Sequence, residues 1–207
     1  MRSTIPLAPL LALACDASAP PPEPPTEPRG ASASEDLSAR PPDRGPVRGG
    51  ETMRRMVQWP DAQRRDATTY AALDDASKAA VDAAPVPVLV PALDVALDQR
   101  RVMQGPEWAA FWGQREGVTV SLHASRMARV LPGVRPLPGP QTVREQEAFV
   151  SRNEGIWSAS WIEHGVAYAL ELECAPPDAP PCDDETALLE IAEGLVYVGG
   201  RGEEVAR

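Results

Sequence analysis

Lysine is almost missing from this chain. Lys78 stands alone among 20 basic residues, which face 30 acidic ones for a formal charge of −10. A chain this acidic repels phosphate backbones, and no arginine run with interleaved aromatics offsets that, so nucleic acid is excluded as a partner. Histidine is scarce too. His123 falls on a polar strand face and His164 in a tight turn, with no spacing that would bring them to one metal or one catalytic centre. No G-x-S-x-G motif occurs, and Ser158 and Ser160 read as ordinary sheet residues, which excludes that class of serine hydrolase. No apolar run reaches the roughly 20 residues of a membrane-spanning helix. No catalytic residue, metal ligand or cofactor is expected.

Proline is abundant, at 24 residues of 207. The chain opens MRSTIPLAPLLALAC, with Arg2 as a short positive region, an apolar stretch from Ile5 to Ala14 and small residues at Ala12 to Ala14. These are the parts of a signal peptide, assigned to residues 1–14. The run Leu11-Ala12-Leu13-Ala14-Cys15 resembles the lipobox of bacterial lipoproteins, in which the cysteine is diacylated and becomes the mature N-terminus. Ala12 stands where the family prefers a branched apolar residue. The resemblance implies a lipid on Cys15, a membrane partner reached through that lipid, and a place in the bacterial cell envelope, in the periplasm or at the surface. The choice of inner or outer membrane is left open. An ordinary secretory cut, or a cytosolic tail, are the alternatives.

Residues 16–50 hold nine prolines with much Ala, Ser and Gly, and only Leu37 and Val47 as sizeable aliphatics. They cannot bury enough apolar surface to offset the entropy of ordering, so 15–50 reads as a disordered tether. Residues 51–84 read as a polar helical region, with a short turn at 53–59 and a helix from Thr69 to Ala84.

From residue 85 the pattern turns strand-like, and 85–200 reads as one α+β domain before a charged tail at 201–207. PVPVLVP (85–91) reads as a sheet-edge strand. EWAAFW and GVTVSLH flank a turn at GQRE, and two short strands occupy 142–155. In IWSASWIEHGVAYALELEC (156–174), a two-residue turn at His164-Gly165 sets Glu163 opposite Val166. Trp161 then faces Tyr168, Ala159 faces Leu170 and Trp157 faces Leu172, all on one face, and Cys174 ends its strand in phase with them. The reverse face pairs Ile162 with Ala167, Ser160 with Ala169 and Ser158 with Glu171. Asp183 or Asp184 caps a following helix whose Leu188, Ile191, Ala192 and Leu195 share a face, and a strand at 196–198 follows. Strands, then a helix, then a strand define a mostly antiparallel sheet with one face covered by helices.

The pattern of Gly155, Trp157 and Trp161, then His164 to Leu170, then Leu188 to Leu195 resembles the hairpin-plus-helix end of bacterial envelope domains of unknown function. These are related to lipoprotein-carrier-like and sigma-regulator sensor domains. The resemblance spans about residues 141–200 and implies a curved antiparallel sheet partly wrapped around a helix. It brings no catalytic residue.

Two sites remain to be weighed. Trp157, Trp161 and Tyr168 either pack as core or line a candidate groove for an envelope protein, lipid or glycan. CAPPDAPPC (174–182) is a metal clip, a redox pair or a structural disulfide. With Cys15 assigned to the lipid, Cys174 and Cys182 are the only pair. Further zinc ligands and the C-x-x-C spacing are both missing, so a disulfide is expected in an oxidising envelope. The acids Asp178, Asp183, Asp184 and Glu185 read as helix capping rather than a calcium loop. The function expected is that of an anchored binding, carrier or sensory module without enzymatic activity. The alternative is an envelope hydrolase built on carboxylates.

Overall fold

The computed structural model describes residues 50–135 and 137–201. The signal peptide 1–14, Cys15, the tether apart from Gly50 and the tail apart from Arg201 therefore lie outside the described residues. Chain order runs β1 (Glu51–Arg54), a 3-10 turn (Ala62–Arg64), α1 (Ala67–Ala71), α2 (Asp75–Ala83), β2 (Val88–Pro91), β3 (Gln99–Gly105), β4 (Trp108–Arg115) and β5 (Val118–Ser125). It continues through β6 (Met127–Val130), β7 (Gln141–Val143), β8 (Gln146–Asn153), β9 (Ile156–Glu163), β10 (Val166–Cys174), α3 (Thr186–Glu193) and β11 (Leu195–Gly199).

The main sheet has seven strands in the order β3-β4-β5-β10-β9-β8-β7, with every neighbouring pair antiparallel. The fold is α+β and dominated by antiparallel sheet. Its strands alternate because one face is buried. On that inner face the registers align Val102, Phe111, Leu122, Leu170, Ala159 and Val150 in one row across six strands. Helix α3 covers this face with Leu188 and Ala192. Beside it lies a separate ribbon of β2 and β11, which carries Val88, Leu89, Val90 and Val198 into the same core.

Three consecutive two-residue turns build the β7-to-β10 meander, with left-handed backbone at Arg144-Glu145, Glu154-Gly155 and His164-Gly165. Such turns match the twist of the strands they join. The pairing at the third is the one read from the sequence, with Glu163 opposite Val166, Trp161 opposite Tyr168, Ala159 opposite Leu170 and Trp157 opposite Leu172.

Several expectations need correction. Residues 53–59 hold no helical turn. Glu51–Arg54 is a strand paired with β6 in its own two-stranded sheet. One helix from Thr69 to Ala84 is in fact two, because Asp66 and Asp74 each accept a backbone bond, from Thr69 and Ser77, and so start a helix apiece. The 85–91 segment does stand at a sheet edge, as one strand of a two-stranded ribbon with β11, although its four strand residues are all buried. The first hairpin turns at Glu116-Gly117 rather than at GQRE, since β4 runs on to Arg115. Strands β3 and β6 had no counterpart in the sequence reading. The N-cap of α3 is Glu185, without a side-chain cap, while Asp184 accepts from the Thr186 backbone at 2.8 Å.

Candidate functional site

Two of the three candidate groove aromatics are buried on the inner face. Trp161 and Tyr168 are 3% and 1% exposed and stack on each other at 5.5 Å between ring centroids. Their polar ends are satisfied inside the fold: Trp161 Nε1 donates to Glu163, and the Tyr168 hydroxyl donates to the Pro87 carbonyl. Trp157 is half-buried, donates to the Cys182 carbonyl at 3.0 Å, and lies under the Arg152 guanidinium. Trp161 and Tyr168 belong to the core and Trp157 to its border, and the first two also reach the lining of a depression beside Phe149.

Cys174 and Cys182 form a disulfide, and both are buried. The ring it closes is tied to the sheet by Arg152, which donates to the Pro177 carbonyl and to Asp178 at 2.5 Å. Asp178 and Asp184 are thus engaged in the ring and the helix start, and no cluster of metal-ligating side chains occurs among the described residues.

The two histidines lie apart in role. His123 stacks on Trp108 at 5.7 Å on the outer face. His164 Nε2 lies 3.5 Å from Glu163. Glu163 is already held by Arg144, at 2.8 Å to Nε, and by Trp161. Burial pushes the Glu163 carboxyl up, but the bonds and charge of Arg144 outweigh it and hold the group below its ordinary range. Arg144 also donates to the carbonyl of Leu195 at 2.8 Å. This cluster joins the β7-β8 turn, the β9-β10 turn and the end of α3, a structural role.

The open surface is the other side of the sheet. Its registers place Met103, Ala110, His123, Ala169, Ser160 and Phe149 in one row, and Trp108, Ser125, Ala167 and Ile162 in the next. A third row runs Arg101, Trp112, Ser121, Glu171, Ser158 and Ser151, laced by Ser121 donating to Glu171 and by a Ser151–Ser158 hydroxyl contact at 3.0 Å. Ala and Ser residues alternate there with larger ones, His123 on β5, Trp112 on β4 and Glu171 on β10, and Met103 and Phe149 stand at the two ends of one row. Met103, Phe149 and Ile162 remain about half exposed, at 50%, 48% and 47%. Beside Phe149 and Ile162 a depression of about 580 Å³ is lined by Leu137, Gly139, Glu147, Trp161 and Tyr168. A second hollow, of about 460 Å³, adjoins Ile162 and is bounded by Met53 and Val130 of the β1-β6 ribbon. Exposed apolar side chains next to small residues and serine hydroxyls give this face both apolar and hydrogen-bonding contacts for a partner. Sequence reasoning listed the reverse-face pairs but missed Phe149. Its signal was an exposed phase: Phe149 alternates with Ala148 and Val150, which face the core.

The architecture defines the class: an antiparallel sheet with one face covered by helix and ribbon and one face open. No family model, curated protein or solved structure matches the chain. No helix among the described residues is long and apolar enough to cross a membrane.

Proposed function

We propose that this protein is a lipid-anchored module of the bacterial cell envelope that binds a partner through the open face of its seven-stranded sheet, without chemistry of its own. One observation carries the reading: the half-exposed Met103, Phe149 and Ile162 stand on the outer face of the main sheet, where Ala110, Ala169 and Ser160 lie beside His123. Exposed apolar surface of this kind on a sheet otherwise patterned for burial marks interaction surfaces. The lipobox-like run ending at Cys15 and the proline-rich segment after it support the anchor and a spacer that holds the domain off the bilayer.

Two measurements test it. Mass spectrometry of the mature protein finds a diacylglyceryl group on Cys15; an unmodified chain beginning elsewhere removes the anchor from the proposal. A photo-reactive side chain at position 149 gives a discrete cross-linked species in the native envelope, whereas one at the exposed Asp75 of α2 does not. Equal yields at both positions reject the open face as the binding surface.

A further inference from the structure

A second chamber lies on the covered side of the sheet, away from the open face. Its floor is Val118, Val120 and Leu172. One wall is α3, which presents Ala187, Glu190 and Ile191, three and four residues apart and so on one helix face. The opposite wall is the segment 94–97, and Pro181 of the disulfide ring closes a third side. The volume is about 360 Å³, near the lower end of small-molecule sites.

The walls are preformed. Arg100 donates to the carbonyls of Pro91, Ala92 and Val95 at 2.7, 2.9 and 2.6 Å, which pins the segment leading into the chamber. Leu97 seats on Gly113, where an added Cβ would come within 2.6 Å of Leu97 Cδ1. Pro181 is held by the Cys174–Cys182 bond next to it.

Three charges from three elements stand, solvent-exposed, at the rim of this half-open apolar space: Arg115 on β4, Asp94 on the loop and Glu190 on α3. Asp94 interacts electrostatically with Arg100. Arg115 and Glu190 make no side-chain hydrogen bond or ion pair among the described residues. One cation and two carboxylates around an apolar interior are complementary to a zwitterion. A fatty acid would satisfy Arg115 but bring its charge against two carboxylates, and a plain hydrocarbon would use none of them.

We propose that this chamber binds a free α-amino acid with a large apolar side chain. The side chain fills the space over Val120 and Leu172, the carboxylate pairs with Arg115, and the ammonium pairs with Glu190 and Asp94.

Calorimetric titration of the full chain tests this with phenylalanine, phenylalanine amide, N-acetylphenylalanine and 3-phenylpropionate. Phenylalanine binds, and each of the other three, lacking one charge or the amine, binds at least tenfold more weakly. Arg115→Gln weakens phenylalanine at least tenfold and leaves the amide unchanged. Ala187→Phe fills the chamber and abolishes binding while the melting temperature is retained; if that variant fails to fold, Ile191→Phe serves the same purpose. No heat with millimolar phenylalanine overturns the proposal, as does equal binding of 3-phenylpropionate, or binding that survives both filling variants. Cross-linking at Phe149 is independent of every one of these results.

Discussion

The hydroxyl of Tyr168 donates to the carbonyl oxygen of Pro87 at 2.9 Å, joining residues 81 positions apart and tying the centre of the main sheet to the start of the β2-β11 ribbon. Both residues are buried. Tyr168→Phe keeps the ring and leaves the carbonyl without that donor, so urea denaturation should show a loss of about 1–2 kcal/mol. Burial pushes the Tyr168 hydroxyl far above its ordinary value near 10. The folded state therefore keeps a proton that the unfolded chain releases. Its contribution is complete below pH 10 and declines as pH rises above it. Wild type should lose stability in that alkaline range more steeply than Tyr168→Phe does.

Arg144 and Glu163 make the opposite case. Their side chains are only 14% and 11% exposed, and Arg144→Met leaves the Glu163 carboxylate beside apolar surface without its partner. The expected cost is about 3 kcal/mol. Because Arg144 holds the folded Glu163 below its ordinary range despite burial, its stabilisation is present above the unfolded glutamate value and is lost as pH falls through the folded one. Glu163→Gln should flatten the acid limb of a stability-against-pH curve measured by guanidinium unfolding.

The ring test is direct. Cys174→Ser with Cys182→Ser opens a loop of about nine residues, worth roughly 2.5 kcal/mol on the chain-entropy estimate, less whatever the prolines already restrain. Melting should fall by about 5–10 °C. Trp157 donates to the Cys182 carbonyl, so its fluorescence should shift to the red in the double variant; an unchanged spectrum and melting point would sink the staple role.

The β9-β10 register is readable in the sequence because sliding it by one residue would put Trp161 and Tyr168 on opposite faces, and burial of one face forbids that. The disulfide is readable by elimination among the cysteines. What escapes is decided by distant contacts. Strand β3 has only Val102 fully buried, because α2 covers its edge and Ser77 accepts from the Val102 backbone at 3.0 Å. The Arg144-Glu145 turn has no glycine to announce it. Its left-handed backbone is compensated by Arg144 reaching Glu163 and Leu195, 19 and 51 positions away. Phe149 and the open face escape because an uncovered apolar side chain looks, in sequence, like one more core residue.

At the His164-Gly165 turn, Gly165 has φ +77 and an added Cβ would lie 2.3 Å from the Met56 carbonyl oxygen. Segment 56–58 crosses the turn here, with Gln58 donating its backbone N–H to His164 at 2.9 Å. Gly165→Ala combines backbone strain with a backbone clash, and a loss of about 2 kcal/mol is expected in chemical denaturation. Gly133, with φ +79 but open space around it, should cost about half as much when changed to alanine, which separates strain from collision.

The two faces of the sheet should answer differently to truncation. Leu170 is fully buried in the inner row, so Leu170→Ala should cost about 3 kcal/mol by removing packed atoms and leaving a cavity. Phe149 and Ile162, nearly half exposed across the sheet, lose only cross-strand contact when changed to serine, about 1 kcal/mol or less. If the open face is kept apolar for a partner, Phe149→Ser with Ile162→Ser should fold with near-normal stability and yet lose cross-linking from a probe placed at Ser160, which pairs with Phe149. Leu170→Ala, assayed at a temperature where it remains folded, should keep that cross-link. A double serine variant that cross-links as well as wild type would show that these side chains serve no partner.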